Sequence, residues 1–309
     1  MNYYLDRLRR SIALRVARKP RGLELVSPKE RKENVWQREG EVLVSRVEGG
    51  EKVRELVERS VELLGGFNKT IKMGQLVMIK PNFNRSNPPP ASTALDFLEA
   101  VIVSLKERGA EVMLGECSGP PFVTRRNLEA RGVIQLLHRL GVGLVIFNES
   151  EWVKVRLGGA YLSEIIMAKS AYKVDTLVYL PNMKTHRKAR FSLSLKLAVG
   201  FTHPAERMAL HEGMLEEKIS EINLAWQPDL IIMDGRKAFV TVGPDEGEVV
   251  EPGVIMASGD MVAVDLEALK ILTSYKANNR LDLEPAQFPQ IKIALERGLG
   301  KERYTLVNK

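Results

Sequence analysis

The sequence has little cysteine and little histidine, the two residue types that most often build metal clusters. Cys117 is the single cysteine among 309 residues, and there are four histidines. A lone thiol excludes an internal disulfide framework and any four-cysteine zinc or iron–sulfur site within the chain. We therefore expect no in-chain iron–sulfur cluster and a reducing, cytoplasmic location.

Long apolar runs are also missing. No stretch approaches the roughly 18 consecutive apolar residues that a membrane-spanning helix needs, and the N-terminus lacks the apolar core of a secretory signal. We expect no membrane span. Aromatic residues make up 6% of the chain, and only Tyr3 and Tyr4 lie among the basic residues of the N-terminal segment. That pattern offers no stacking platform for single-stranded nucleic acid.

Positive charge is concentrated at the N-terminus. The net charge is +7, and residues 1–40 hold eleven Lys and Arg against five acids, which leaves +6 there and +1 on the remaining 269 residues. A basic arm can contact nucleic acid or an anionic membrane surface. The alternative is a solvated amphipathic helix, and without interleaved aromatics we do not favour nucleic acid as the partner.

Short apolar runs alternate with helix-length segments from residue 41 onward. This alternation indicates βαβ units, and nearly continuous apolar runs are typical of strands covered on both faces. The sequence therefore predicts an α/β fold with a mainly parallel sheet and helices on both faces. Strands are predicted at 41–47, 75–83, 110–119, 142–149, 175–182, 229–235 and 253–260. Helices are predicted at 50–64, 92–109, 124–140, 161–173, 192–200, 205–225, 261–273 and 285–297.

An irregular stretch near 150–160 suggests a boundary within this pattern. We predict a basic N-terminal extension at 1–40, a first α/β lobe at 41–150 and a second at 151–309. A single continuous α/β domain from residue 41 is the alternative, because 309 residues suit either arrangement.

Nearly every predicted strand ends in polar side chains. Because ligands of parallel α/β sheets bind outside the carboxyl ends of the strands, we expect these side chains to converge. Any βα loop must be polar, however, so chance supplies some of them. The candidates are Lys80, Asn82, Ser118, Lys184, Thr185, His186, Asp234 and Asp260, together with Lys196, which lies in an otherwise apolar predicted helix.

Three lysines in this set favour an anionic ligand. Lys80, Lys184 and Lys196 would supply positive charge, and Asn82, Ser118 and Thr185 would orient the ligand. His186 would act as general acid or base, Lys184 as a base or nucleophile, and Asp234 as a base; Asp260 would bind the ligand. The alternatives are a surface role for Lys80 and a helix cap for Asp260, and the turn at 243–247 is expected to be structural.

A divalent metal is a weaker hypothesis. Its candidate ligands are His203, His211, Asp234 and Asp260. The separations among His186, His203 and His211 match no compact zinc signature, so the cofactor stays unknown from sequence.

The assembled motifs resemble one known family. Ile-Lys-Pro-Asn-Phe at 79–83, Gly-Glu-Cys-Ser-Gly at 115–119, Met-Lys-Thr-His at 183–186 and the lysine ten residues later are similar, in order and spacing, to the domain of unknown function 362. The resemblance spans about 75–273. The chain departs from the family pattern where Asn182 replaces a lysine and Leu197 replaces an asparagine.

Many members of that family carry ferredoxin-like cysteine repeats, which this chain lacks. If the resemblance implies redox chemistry, electrons must come from a separate redox partner. Three hypotheses follow: an enzyme or enzyme-like protein that binds an anionic small molecule or cofactor precursor, a metal- or iron–sulfur-linked redox accessory protein, and a nucleic-acid binder. The sequence names no substrate, reaction or oligomeric state.

Overall fold

The computed structural model describes residues 19–50, 52–120 and 122–308, and the regular elements there confirm a mixed α/β fold. The strands are β1 Leu25–Val26, β2 Gln37–Arg38, β3 Glu41–Glu48, β4 Leu76–Lys80, β5 Glu111–Glu116, β6 Gly143–Ile146, β7 Trp152–Arg156, β8 Glu164–Ala168, β9 Thr176–Tyr179, β10 Asn182–His186, β11 Arg190–Ser192, β12 Leu230–Phe239, β13 Val249–Val250, β14 Val254–Ser258 and β15 Tyr304–Asn308. The helices are α1 Val53–Glu62, α2 Leu95–Glu107, α3 Thr124–Ala130, α4 Val133–Leu140, α5 Ser194–Leu197, α6 Pro204–Leu210, α7 Leu215–Ile222, α8 Met261–Ser274 and α9 Pro289–Glu296.

The main sheet is mostly parallel, as predicted. Eight of its twelve strands in the described residues follow the order β15-β3-β14-β12-β9-β4-β5-β6, and β2, β10, β11 and β13 pair beside this path. Strands β6, β5, β4, β9 and β12 pair in parallel, whereas β14 runs antiparallel to both of its neighbours. A second, three-stranded sheet has the order β1-β7-β8.

Alternate side chains of the main sheet enter two apolar cores, one on each face. On β4, Val77 and Ile79 belong to the core that contains residues of α1, α2 and α4, whereas Met78 belongs to the core that contains residues of α7, α8, α9 and the small sheet. This period of two is what places helices on both faces of the sheet.

Several local predictions were wrong. The segment predicted as a helix at 161–173 forms β8 and a 3₁₀ turn, and 205–225 divides into α6 and α7 around Met214, whose φ is +51°. The predicted helix at 192–200 is one four-residue turn, α5, followed by the 3₁₀ segment Ala198–Phe201. The basic stretch after Pro181, where no regular element was predicted, forms the β10–β11 hairpin.

The described part of the N-terminal extension, residues 19–40, lies against the rest of the protein. Strand β1 pairs with β7 and β2 pairs with β3. Lys29 donates to the carbonyl oxygens of Ala171 and Val174, at 3.3 and 2.6 Å. Residues 1–18 lie outside the described residues. The main sheet takes strands from both predicted lobes, and the division into lobes stays a prediction.

Candidate functional site

Lys184 lies in the middle of β10 with its side chain buried. Its exposed fraction is 2%, and its ammonium donates one hydrogen bond, 2.5 Å long, to the carbonyl oxygen of Ala91. Strand β10 is fixed on both sides, because it pairs with β11 in antiparallel and β12 in parallel register. The hairpin therefore holds a lysine where water cannot solvate it freely.

Lys196 reaches the same region from helix α5. The N-terminus of this short helix is capped by the buried Asp265 of α8, whose carboxylate accepts from the backbone N–H groups of Ser194 and Leu195, at 2.8 and 3.0 Å. Lys196 itself is partly buried, and its ammonium makes no hydrogen bond or ion pair with any residue that the structure describes. Burial raises the pKa of Asp265 to about 7.

His186 is the last residue of β10 and lies two positions after Lys184, on the same face of the strand. Its Nδ1 accepts from the backbone N–H groups of Lys188, at 3.2 Å, and Ala189, at 3.0 Å. Burial lowers the pKa of His186 well below its usual value, and the positive charges of Lys196 and Lys184 lower it further. The imidazole is therefore neutral at physiological pH.

These three basic residues act on one another electrostatically, and we call them the lysine–histidine cluster. Burial lowers the pKa of Lys184 to about 7, a shift that Asp245 opposes and Lys196 increases. Burial lowers the pKa of Lys196 to about 8, with Arg207 adding to the shift and Asp245 opposing it. Both ammonium groups are thus poorly compensated, which is the condition under which a bound anion stabilises a site.

Asp245 is an acid that acts on both lysines, and it lies in the turn that was predicted to be structural. Its carboxylate pairs with Arg85, with 3.1 Å between Oδ2 and Nε, and its carbonyl oxygen accepts from Asn87. The turn packs closely on β10, because a Cβ on Gly243 would lie 1.9 Å from the carbonyl oxygen of Thr185. The turn therefore carries a negative charge to the edge of the cluster.

Lys80 is engaged elsewhere. It forms a buried ion pair with Glu116, 2.7 Å long, and donates to the carbonyl oxygen of Pro81. Glu116 also accepts from the backbone N–H groups of Phe83 and Cys117, at 2.8 and 2.7 Å. Burial lowers the pKa of Lys80, while Glu116 opposes that shift. This pair holds the loops after β4 and β5 together, so the positive charge of Lys80 is already compensated.

Arg207 connects the ion pair to the lysine–histidine cluster. Its guanidinium is buried and donates to the carbonyl oxygens of Cys117 and Gly200, both at 2.7 Å. Its positive charge acts on both Lys80 and Lys196. Arg207 could not be selected from the sequence, because one arginine in a charged helical segment carries no distinguishing pattern.

The predicted orienting residues make local contacts. Thr185 Oγ1 donates to the carbonyl oxygen of Thr241, at 2.9 Å, and Ser118 Oγ donates to that of Phe83, at 2.7 Å. Asn82 is partly exposed, and its backbone N–H donates to Thr93 Oγ1. Thr185 and Ser118 thus use their hydroxyl protons within the fold, and their ligand-orienting roles stay predictions.

The two predicted aspartates lie in structural arrangements of their own. Asp234 is bound by the guanidinium of Arg236, with contacts of 2.9 and 2.8 Å, and Arg236 also binds Asp96. Asp260 caps α8 by accepting from Val262 and Ala263, both at 2.9 Å, and burial raises its pKa to about 6. Neither carboxylate is among the charges that act on Lys184 or Lys196.

The metal candidates do not come together in the part of the chain that the structure describes. Within it, no group of three His, Cys, Asp or Glu side chains is arranged to hold a metal ion. His203 caps α6 through Nδ1, which accepts from Ala205, and its ring packs edge-on against Trp152. His211 is exposed, and its positive form would act on His186.

No described helix is long and apolar enough to cross a bilayer.

Three comparisons relate the chain to known proteins. A thylakoid-associated protein, sll1697, from Synechocystis sp. (strain ATCC 27184 / PCC 6803 / Kazusa) is 27% identical over 255 residues, which cover 78% of this chain and 73% of that protein. The lactate racemase apoprotein from Thermoanaerobacterium thermosaccharolyticum is 14% identical, with a TM-score of 0.39. That match covers 77% of this chain but 59% of the racemase chain, so this protein spans about three-fifths of its length.

The family comparison covers the lysine–histidine cluster. The model described as Domain of unknown function (DUF362) matches residues 77–270, a range that includes Lys184, His186, Lys196 and Asp265. It extends over more than half of the 309 residues, and its limits agree with the resemblance seen over 75–273. The chain belongs to the DUF362 family.

Proposed function

We propose that this protein binds a small anionic ligand at the lysine–histidine cluster, in a site with enzyme-like acid–base groups. The proposal rests on the environment of the Lys196 ammonium group. Its ammonium is partly buried and lacks a hydrogen-bond partner among the described residues, although Lys184 and Arg207 place positive charge nearby. A carboxylate, sulfate or phosphate group would supply the missing acceptor atoms and the missing negative charge.

Asp245, the acid that acts on both lysines among the described residues, does not fill this role. Asp245 opposes the pKa shifts of both lysines, but its carboxylate makes its direct contact with Arg85, at 3.1 Å. The cluster therefore keeps an excess of positive charge, and an anion carrying one or two negative charges would balance it.

The same environment favours acid–base chemistry. A lysine whose pKa is about 7 or 8 exists in both its charged and neutral forms near neutral pH. Its neutral amine is a base or a nucleophile, whereas an ordinary lysine is almost fully protonated there. We infer that Lys184 or Lys196 supplies the proton-transfer group if the ligand is a substrate.

Thermal unfolding in matched salts tests the proposal. Wild-type protein at pH 6.5 is heated in phosphate, sulfate, acetate or chloride at equal ionic strength, and phosphate or sulfate should raise Tm above the value in chloride. Sulfate and phosphate also raise Tm non-specifically, because they are excluded from the protein surface, so Lys196→Met should reduce the difference to this background. Lys188→Met is the matched control, since Lys188 is exposed in the hairpin turn, and it should respond as the wild type does. Equal Tm values in all four salts, or an unchanged response in Lys196→Met, would contradict anion binding at this cluster.

The metal- and redox-linked alternatives, including a separate redox partner, stay predictions. Elemental analysis of freshly purified protein tests them directly, because bound iron or zinc would appear there regardless of activity.

A further inference from the structure

The hydrogen bonds that His186 accepts determine which of its two ring nitrogens carries the proton. Its Nδ1 accepts hydrogen bonds from two successive backbone N–H groups, those of Lys188 and Ala189, at 3.2 and 3.0 Å. A ring nitrogen that accepts must offer its lone pair, so in the neutral imidazole the proton is carried by Nε2. The hairpin turn between β10 and β11 thereby selects one tautomer.

We propose that His186 is a fixed, neutral hydrogen-bond donor that presents Nε2–H to an oxygen atom of the bound anion. This inference rests on the proposed function and assigns His186 a different role from that of proton acceptor. A base role at Nε2 would require the other tautomer, and moving the proton to Nδ1 would break both backbone contacts.

The surroundings of the ring support this assignment. Nε2 makes no hydrogen bond with any residue in the described ranges. His186 and Lys184 are two positions apart on β10, so their side chains leave the same face of the strand. Lys184 and Lys196 are close enough to act electrostatically on the ring, so an oxygen that accepts from Nε2–H would also be attracted by their positive charges.

The charged groups around the ring keep it neutral. Those acting on it are Lys196 from α5, Lys184 from β10, Arg187 from the hairpin turn and His211 beyond α6, and each carries or can carry a positive charge. The site is therefore expected to select ligands by an acceptor oxygen, such as that of a carboxylate, phosphate or sulfate, with little contribution from titration of His186.

Nitrogen NMR of the wild-type protein tests the tautomer. Long-range ¹H–¹⁵N spectra of uniformly labelled protein are recorded from pH 5.5 to 8, and His138→Asn and His211→Asn identify the two exposed histidines. His203 is the internal reference, because its Nδ1 also accepts from a backbone N–H group. We expect His186 to show a protonated Nε2 and an unprotonated Nδ1 at every pH. A proton on Nδ1, or two nitrogens that titrate together, would overturn the inference.

Phosphate titration tests donation to the ligand. Adding phosphate should shift the Nε2–H proton of His186 but not that of His203. In His186→Asn the side-chain oxygen can replace Nδ1 as the acceptor of the turn, while the Nε2–H donor is lost, so phosphate affinity should fall about tenfold. Two results would refute donation by His186 without refuting anion binding. One is wild-type phosphate affinity in His186→Asn. The other is a His186 Nε2–H signal that does not shift with phosphate although Lys196→Met abolishes phosphate binding. If wild-type protein binds no phosphate, sulfate or carboxylate, both the proposed function and donation to the ligand are refuted. The tautomer of His186 is measured without ligand and does not depend on that result.

Discussion

Asp265 caps the helix that carries Lys196, although the two residues lie on different helices and far apart in the chain. The carboxylate of Asp265 accepts from the backbone of Ser194 and Leu195 and from Ser194 Oγ, at 2.8, 3.0 and 2.6 Å. A helix of four residues has almost no stability of its own. The position of the Lys196 side chain therefore depends on a buried acid of α8.

Asp265→Asn should weaken anion binding, because the amide nitrogen of asparagine cannot accept from Leu195 N–H. We expect phosphate affinity to fall about tenfold and unfolding free energy to fall by about 2 kcal/mol. Calorimetric titration and urea unfolding measure the two effects. Asp260→Ala is the control, since Asp260 caps the N-terminus of α8 itself and makes no contact with the backbone of α5 among the described residues. It should cost about 1 kcal/mol and leave phosphate affinity intact, and equal affinity losses in both variants would contradict a specific role for Asp265.

Anion affinity should fall as pH rises through the range 7 to 8. Lys184 and Lys196 have pKa values lowered to about 7 and about 8, so Lys184 loses its positive charge around pH 7 and Lys196 around pH 8. Above pH 8 the affinity should drop by about tenfold per pH unit for each lysine that must be protonated to bind the anion. Calorimetry with sulfate, whose charge is constant across this range, measures the change without ligand titration, and an affinity independent of pH would contradict the lysine assignment.

The stability of the ligand-free protein should change in the opposite sense. A lysine with a lowered pKa in the folded state keeps its proton in the unfolded state up to about pH 10.5. Unfolding free energy should therefore rise between pH 7 and the unfolded-state pKa. The loss of stability caused by the buried positive charge should be fully present below pH 7. Lys196→Met should be more stable than wild type at pH 6.5, where the wild-type protein carries the uncompensated charge. Urea unfolding at pH 6.5 and 9 checks the sign.

Asp245→Asn should strengthen anion binding at low pH. Removing this acid takes away a negative charge that repels the ligand, and at pH 6 both lysines should still carry positive charge. We expect sulfate affinity to rise about fivefold, as a charge pair near a protein surface is worth about 1 kcal/mol or more. Glu248→Gln, which neutralises an exposed acid of the same loop, should have little effect. Weaker binding in Asp245→Asn would show that the acid instead positions the ligand.

The Lys80–Glu116 pair should behave as a structural unit. Glu116→Gln leaves the Lys80 ammonium buried without its counter-charge and should lower unfolding free energy by about 3–5 kcal/mol. The double variant Lys80→Met, Glu116→Gln should recover part of this loss, because the uncompensated charge is gone. Glu99→Gln breaks an exposed pair with Arg139 and should cost less than about 1 kcal/mol. Strictly additive losses in the Lys80 and Glu116 variants would contradict the coupling.

Much of the fold was predictable, because the spacing of apolar residues and the length of each apolar run identify buried strands well. The seven predicted strands all form, and their mostly parallel pairing is confirmed. The direction of β14 was not predictable, since the same residues would alternate between two cores in either direction. The segment 161–173 was predicted as a helix because its apolar residues, such as Ile165 and Ile166, fit either period. In the structure, residues 164–168 of this segment pair with β7 and form a strand.

The site was only partly predictable. Lys184 and His186 follow from their place after a strand, and Lys196 was noticeable as one lysine among apolar residues. The sequence does not show that Lys80 is neutralised by Glu116, because their contact joins the ends of two strands and the residues are 36 positions apart. It does not show either that Asp245 brings a negative charge to the cluster, because glycine, proline and aspartate in a turn have a sufficient local reason to be there.

By itself, the sequence determined the α/β class, the burial of the strands and the concentration of polar residues at their ends, since these depend on local order of residue types. The tertiary structure alone decided which charges meet. Whether a buried lysine is compensated depends on distances and on exclusion of water, and those arise only when separate loops pack together. The same packing distinguishes Lys80, which has its counter-charge, from Lys196, which has no hydrogen-bond partner among the described residues.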